Sequence, residues 1–176
     1  MLKRILAFGF VIVGTGAQAF DADAEYDKSY LQVEACFESD PADTEACVIA
    51  GIQECANDLE AVLESKGIIS PGGAAVDTRE YCNSIGLERA DEHLNAVYQR
   101  IIENEPIHYG GGGAVENLRV AQRLWIQFRN EMCSENTITS WHSGGSGWGA
   151  VIDEWSTRLS IQQAQNLEGY FTIYDY

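Results

Sequence analysis

The sequence has little positive charge, little proline and no apolar segment long enough to span a bilayer. Its 176 residues include 11 lysines and arginines against 27 aspartates and glutamates, and only 3 prolines. Phosphates would repel such an acidic chain, which argues against binding to nucleic acid or to an anionic membrane surface. The charge would instead attract a cationic partner, although acidity that only keeps the protein soluble is the simpler explanation.

The longest apolar run lies at the N-terminus. Lys3 and Arg4 precede the run over residues 5–13, and residues 17–19 read Ala-Gln-Ala. This arrangement predicts a secretory signal peptide over residues 1–19 and a periplasmic or secreted location. The run is shorter than the roughly 20 residues that span a bilayer, so we expect no membrane insertion after cleavage. The remaining chain would carry 9 basic and 27 acidic residues, a net charge of −18.

Cysteine is scarce, and its spacing matches no metal site. The five cysteines are Cys36, Cys47, Cys55, Cys82 and Cys133. In an exported chain they indicate disulfides, most simply two bridges and one remaining thiol, with a pairing that the spacing does not fix. No C-x-x-C pair is present, and the three histidines lie on different segments. We therefore predict neither a metal ion nor another cofactor.

Helical periodicity extends over nearly the whole of the mature chain. It predicts helices over residues 26–37, about 42–65, 77–105, 114–132 and 150–167, with a loop over 134–149. We expect Asp77 to cap the third helix and to form a capping box with Glu80. Gly169 is expected to end the last helix, followed by an extended tail from Phe171.

The fourth predicted helix has an apolar stripe with spacings of three and four residues. Its members are Leu118, Ala121, Trp125, Phe128 and Met132. Such a stripe predicts packing against another helix. We therefore predict an all-α fold, a small antiparallel helical bundle with disulfides, in which residues 20–75 form an N-terminal helical extension and residues 76–176 form the main domain.

The motifs of common enzymes are missing. The Gly-Gly-Ser-Gly-Trp sequence of residues 144–148 lacks the second glycine of a nucleophile elbow. The glycines of residues 110–113 are not followed by the lysine of a phosphate-binding loop. His93 is expected on an exposed helix face. We predict that the protein is not an enzyme.

Two helices and the following loop nevertheless carry an ordered set of residues. The set comprises Ala90, Asp91, Leu94, Asn95 and Tyr98, then Leu118, Arg119, Ala121, Gln122, Arg123, Trp125, Ile126, Phe128, Arg129 and Cys133, then Gly144, Gly145 and Ser146. Over roughly residues 78–168 the chain resembles the LprI-like family of bacterial envelope proteins, whose namesake function is lysozyme inhibition. The resemblance implies a helical, secreted, disulfide-containing domain and a lysozyme-type muramidase as partner.

The chain departs from the family in its cysteines. The family usually has a further cysteine shortly after the Gly-Gly-Ser, whereas residues 152–156 here contain none. Cys133 is therefore expected either to be buried and free or to pair with an N-terminal cysteine.

The polar residues of the motif have two interpretations. Asp91, Asn95 and Tyr98 share a face of the third helix, and Arg119, Gln122 and Arg129 are arranged similarly on the fourth. We interpret them as an interhelical network that fixes the register of the bundle, because buried polar groups need partners. A binding site for a small polar ligand is the alternative.

The loop before the last helix is the predicted partner-contact region. It carries Trp141, His142, Ser143, Ser146 and Trp148. Tryptophan provides large contact area at low entropic cost, although both rings folding back onto the bundle is the competing interpretation. The leading functional hypothesis is a lysozyme-inhibitor-like binding protein. The alternative is a non-inhibitory envelope interaction or structural module of the same fold.

Overall fold

A computed structural model describes residues 22–38, 43–73, 75–103, 113–141 and 147–172, and these form six helices. The helices are α1 (Ala22–Cys36), α2 (Thr44–Ser65), α3 (Ala75–Glu103), α4 (Ala114–Met132), α5 (Glu135–Trp141) and α6 (Trp148–Thr172). The predicted all-α fold is confirmed. Within the described residues, no helix is long and apolar enough to cross a membrane. The predicted signal peptide lies outside them.

Helices α3 and α6 form the most extensive contact between helices. Glu80 of α3 lies beside Gly149 of α6, and Arg100 further along α3 donates to Glu168 further along α6. The two helices therefore run in the same direction. Helix α4 runs in the opposite direction, because Gln122 bonds to Gln163 of α6 whereas the later Arg129 bonds to the earlier Ser160. Helices α3, α4 and α6 thus run up, down and up.

The first hydrophobic cluster joins α1 and α2 to the first half of α3. Its buried residues are Val33, Cys36, Val48, Ile52, Cys55, Ala56, Cys82, Ile85, Ala90 and Ile161. Two disulfides lie within it, Cys36–Cys47 and Cys55–Cys82. The segment expected to be an extension therefore supplies most of this cluster, because α1 and α2 pack their apolar faces on α3.

Helix α2 approaches α3 closely because Gly86 has no side chain. A Cβ atom at this position would lie 2.8 Å from Cγ1 of Ile52 and 3.8 Å from Oγ1 of Thr157. Gly86 thus allows α2 and α6 to pack against the same turn of α3.

The second cluster joins the rest of α3 to α6 and α4. Leu94, Val97 and Ile101 of α3 are buried against Ala164 and Leu167 of α6. Tyr98, Leu118 and Trp125 are half-buried at its edge. Within the part of the chain that the structure describes, this half has no disulfide, and Cys133 is buried with a free thiol. Of the two states expected for Cys133, the structure has the buried free one.

The apolar stripe expected to be buried on α4 lies largely in solvent, so that prediction was wrong. Leu118 and Trp125 are half-buried, but Ala121, Phe128 and Met132 are exposed. Helix α4 instead turns Gln122, its buried residue, toward the bundle. The reason is polar pairing, since Gln122 and Arg129 both bond to α6.

This rotation leaves an outer stripe on α4. We define it as Val120, Leu124, Phe128 and Met132, each four residues after the last. These side chains are 42%, 59%, 52% and 49% exposed.

Two helix ends also differ from the prediction. Helix α3 begins at Ala75, so Asp77 lies in its first turn and is not its N-cap. Helix α6 continues through Gly169 to Thr172; packing of α6 on α3 outweighs the roughly 1 kcal/mol cost of a helical glycine. Phe171 is thus helical, and the rest of the expected tail lies outside the described residues.

The predicted loop over residues 134–149 contains a short helix, α5. Ser134 accepts a hydrogen bond from the backbone N–H of Thr137 at 3.2 Å, and Ile138 is buried. A capping serine and one apolar anchor are enough for two turns of helix here because α5 packs on α6.

His93 is not a solvated surface residue. It is half-buried, and its ring stacks on Phe37 with centroids 4.6 Å apart. Burial lowers the pKa of His93 below its usual value of 6.5. Helix α1 covers this face of α3, which the periodicity of α3 alone did not reveal.

Candidate partner-binding region

A charged network ties α4 to α3 and α6. The Arg129 guanidinium donates to the Asp91 carboxylate and to Oγ of Ser160, the latter at 2.6 Å. The Ser160 hydroxyl lies 2.7 Å from Asp91 and 2.9 Å from the carbonyl oxygen of Ser156. Arg129 also stands over the Trp125 ring, 5.4 Å from its centroid. Three helices thus meet at one charge-assisted centre.

The other residues of the predicted network are more dispersed. Gln122 accepts a hydrogen bond from Gln163 of α6 at 3.0 Å, so its partner is not on α3. Asn95 is exposed, and Tyr98 is half-buried. Arg119 is exposed and lies 3.7 Å from Glu116 of its own helix. The structure brings together Asp91 and Arg129, while Gln122 makes a separate contact with α6. These contacts support a structural role for the three residues.

The predicted contact loop joins two helices that pack on each other. Trp141 is the last residue of α5, and Trp148 is the first residue of α6 and is half-buried. His142, Ser143 and Ser146 lie outside the described residues. The chain enters α6 through Gly147, whose φ of 105° is a conformation that favours glycine.

Two carboxylates lie at the base of this loop. Glu80 of α3 lies over the first turn of α6, where a Cβ atom at Gly149 would be 2.6 Å from Cδ of Glu80. A glutamate in this position interacts favourably with the N-terminal end of the helix dipole. Asp153, one turn further along α6, is half-buried beside it. We call Glu80 and Asp153 the carboxylate pair.

The carboxylate pair concentrates negative charge at the base of the loop. Burial, together with the charge of Glu80, raises the pKa of Asp153 from 3.8 to about 6. Among the described residues, no lysine or arginine forms an ion pair with either carboxylate. A cationic group from outside would therefore be stabilised here.

Sequence reasoning missed the carboxylate pair. Glu80 was assigned to a capping box with Asp77, and no role was predicted for Asp153. Its neighbour Glu154 forms an ion pair with Arg158 at 2.9 Å. The signal that could have found the pair is Gly149, since a glycine in the first turn of a helix often marks a close approach by another element.

Among the described residues, no group of three or more His, Cys, Asp or Glu side chains could hold a metal ion. The carboxylate pair offers two acceptors for a hydrogen-bonding cation such as an ammonium or guanidinium group.

A sequence model of a protein family, Lysozyme inhibitor LprI, matches residues 73–167. The match covers more than half of the chain. The chain belongs to the LprI lysozyme inhibitor family. The LprI match includes α3, α4, α5, the contact loop and most of α6, whereas α1 and α2 precede it. Searches of curated proteins and of solved structures return no match.

The region that matches the LprI family contains both the charged network and the carboxylate pair. The charged network of Asp91, Arg129 and Ser160 and the carboxylate pair all lie between residues 73 and 167. Cys82 also lies within it, but its disulfide partner Cys55 lies outside. The bond that anchors α3 in this chain therefore depends on a segment outside the family match.

Proposed function

We propose that the protein is a periplasmic or secreted inhibitor that binds a cationic lysozyme-type muramidase and has no catalytic role of its own. The family match over residues 73–167 carries this proposal. The two disulfides support an oxidising compartment. The strongly negative charge of the chain would raise the rate of encounter with a basic enzyme.

The contact region is the loop from Trp141 to Trp148 together with the carboxylate pair at its base. A glycosidase cleft presents paired carboxylates, which hydroxyl groups, a histidine and free backbone N–H groups of a glycine-rich loop can approach as donors. The carboxylate pair is suited to the basic residues around such a cleft. The loop would thus enter the cleft while Glu80 and Asp153 hold a cationic side chain at its rim.

The test is an inhibition titration. The purified, oxidised chain without residues 1–19 is titrated into an animal-type and a bacterial muramidase at low and at moderate salt. We expect saturable inhibition of at least one enzyme, weaker at the higher salt because the charges are screened. Full residual activity of both enzymes at saturating protein would contradict the proposal.

Two substitutions test the loop itself. Trp148→Ala and Gly145→Trp should each weaken inhibition while the helical circular dichroism signal is unchanged. Loss of helical signal in either variant would show that the loop has a structural role. Unchanged inhibition in both would remove the loop as the contact region.

The alternative, a non-inhibitory interaction module of the cell envelope, is favoured by one specific observation. The outer stripe of α4 exposes four large apolar side chains on a helix that is otherwise well anchored. Exposed apolar patches of this kind mark interaction surfaces. The stripe and the carboxylate pair lie on different helices, so the two functions can be tested separately.

A further inference from the structure

The outer stripe is a continuous apolar surface. Its four residues recur at every fourth position from Val120 to Met132, so the stripe extends about 18 Å along α4. Leu124 and Phe128, at its centre, are more than half exposed. Single apolar side chains on a surface are ordinary, but a row of four on one helix is typical of a contact with another helix.

The charged network prevents α4 from rolling to bury this stripe. The Arg129 side chain is 12% exposed and is held by Asp91 and Ser160, while Gln122 bonds to Gln163 on the same side of the helix. Rotating the stripe inward would break these contacts and leave the Asp91 carboxylate of α3 without its guanidinium partner. The stripe is therefore a fixed, presented surface of the folded protein.

The stripe matches itself when a second copy of α4 runs antiparallel. With the two-fold axis at residue 126, Val120 meets Met132 of the second copy, and Leu124 meets Phe128 of the second copy. Each contact pairs a smaller with a larger side chain, and every pair occurs twice. A two-fold interface needs this self-complementarity.

Charged residues beside the stripe are also complementary in this arrangement. Arg123 borders it near Val120, and Glu131 borders it near Met132. In the antiparallel pair, Glu131 of the second copy lies at the level of residue 121, about 3 Å along the axis from Arg123. Within one copy and among the described residues, Arg123 forms its ion pair with the exposed Glu116 of its own helix, at 3.3 Å. Such an exposed ion pair contributes little to stability, so Arg123 can exchange Glu116 for a new partner.

We propose that the outer stripe is a homodimer interface in which two copies of α4 pack antiparallel, with Arg123 and Glu131 forming ion pairs across it. The interface is small, and small interfaces form weak, transient complexes. Both copies are strongly acidic, so added salt screens their repulsion and strengthens the dimer. Binding of a cationic muramidase has the opposite salt dependence.

The experiment is sedimentation equilibrium of the oxidised chain without residues 1–19, over a range of concentrations at low and at high salt. We expect a monomer–dimer equilibrium that shifts toward dimer at high salt. Leu124→Glu should weaken dimerisation by at least about tenfold, since it places a charge at the centre of the interface. Leu31→Glu is the matched control, because Leu31 is 62% exposed on α1 and far from the stripe.

A charge exchange tests the geometry. Arg123→Glu alone should weaken the dimer, and adding Glu131→Arg should restore it toward wild type. Circular dichroism verifies that each variant is folded. Three results would overturn the proposal: a wild-type chain that stays monomeric at every concentration and salt, equal effects of Leu124→Glu and Leu31→Glu, or no restoration by the double exchange. A monomer would mean that other residues of the chain or a different protein cover the stripe.

Discussion

The two halves of the molecule, which share α3, are held together in different ways. Toward its beginning, α3 packs against α1 and α2 around a cluster with two disulfides. Toward its end, α3 packs against α4 and α6 around a smaller cluster. In this half, the charged network of Arg129 joins the helices, whereas disulfides join them in the first half.

The two kinds of contact therefore have different effects: the disulfides stabilise the fold, and the charged network fixes which face of α4 is exposed. A disulfide restricts the unfolded chain wherever the bond lies, whereas a buried ion pair fixes one rotation of one helix. In the second half, the charged network directs Gln122 and Arg129 inward and therefore keeps the outer stripe outside. The cross-linked half includes the start of α3, where Glu80 lies beside the end of the contact loop, and the half held by polar contacts carries the stripe.

The largest effect is expected from the disulfide that joins α2 to α3. The Cys55–Cys82 bond spans 27 residues, and its loss through Cys55→Ser with Cys82→Ser should lower the free energy of unfolding by about 3.5 kcal/mol. The Cys36–Cys47 bond spans 11 residues, and the corresponding double substitution should cost about 2.8 kcal/mol.

Urea unfolding followed by circular dichroism measures both losses. Cys133→Ala is the matched control, because Cys133 is buried but closes no loop. The comparison of the halves would fail if the control lost as much stability as the disulfide variants.

The next effect concerns the charged network. Arg129→Met should lower the free energy of unfolding by about 2 kcal/mol, less than for a fully buried pair because Asp91 remains partly exposed. Arg123→Met, at an exposed arginine of the same helix, should cost under about 0.5 kcal/mol.

A double-mutant cycle with Asp91→Asn assigns the energy to the pair. Equal costs for the two arginine variants, or additive effects in the cycle, would show that the network does not hold α4.

Two glycine substitutions should change the free energy of unfolding in opposite directions. Gly86→Ala adds a methyl group against Ile52 and should lower the free energy of unfolding by about 1–3 kcal/mol. Gly169→Ala lies in open space within α6 and should raise it by up to about 1 kcal/mol.

Thermal unfolding of the two variants and of Gly86→Ala with Ile52→Val tests the packing. The smaller valine should recover part of the loss. Gly86→Ala as stable as wild type would mean that α2 does not approach α3 as described.

The smallest effect is a pH dependence at the carboxylate pair. Folding raises the pKa of Asp153 from 3.8 to about 6 through burial and the charge of Glu80. The folded state binds this proton more tightly, so the stabilisation is complete below about 4 and is lost as the pH rises through about 6.

The substitution Asp153→Asn removes this pH-dependent loss of stability. The variant should be more stable than wild type near neutral pH by about 1–2 kcal/mol, a value reduced because water still reaches the half-buried carboxyl group. Near pH 3.8 the difference should be small. Urea unfolding across this range measures it, and a difference independent of pH would contradict the assignment.

The helical class and the approximate extent of the main helices could be predicted from sequence, whereas for Cys133 the sequence left two states open. Periodicity shows where an apolar face exists, as for Leu94, Val97 and Ile101 of α3. Periodicity does not show which of two faces is buried when a helix also carries polar groups that need partners. On α4 the partners of Gln122 and Arg129 lie on α6, more than thirty residues away.

The carboxylate pair could not be predicted from the sequence, for a similar reason. Glu80 and Asp153 are 73 residues apart, and only the parallel packing of α3 and α6 brings them together. Local patterns assigned Glu80 to a capping box with Asp77 and gave Asp153 no role. The contact loop was predicted from composition, because tryptophans beside glycines form a local signal, and it stays a prediction.

The most direct test of the account is the dissociation constant of the oxidised chain for a cationic muramidase, measured by calorimetry for matched charge variants. Glu80→Gln with Asp153→Asn should weaken binding by about tenfold. Wild-type binding should also weaken as the pH falls through about 6, where Asp153 loses its charge. Glu103→Gln, at the opposite end of α3, should leave the constant unchanged. Equal dissociation constants for the double variant and wild type would contradict the account.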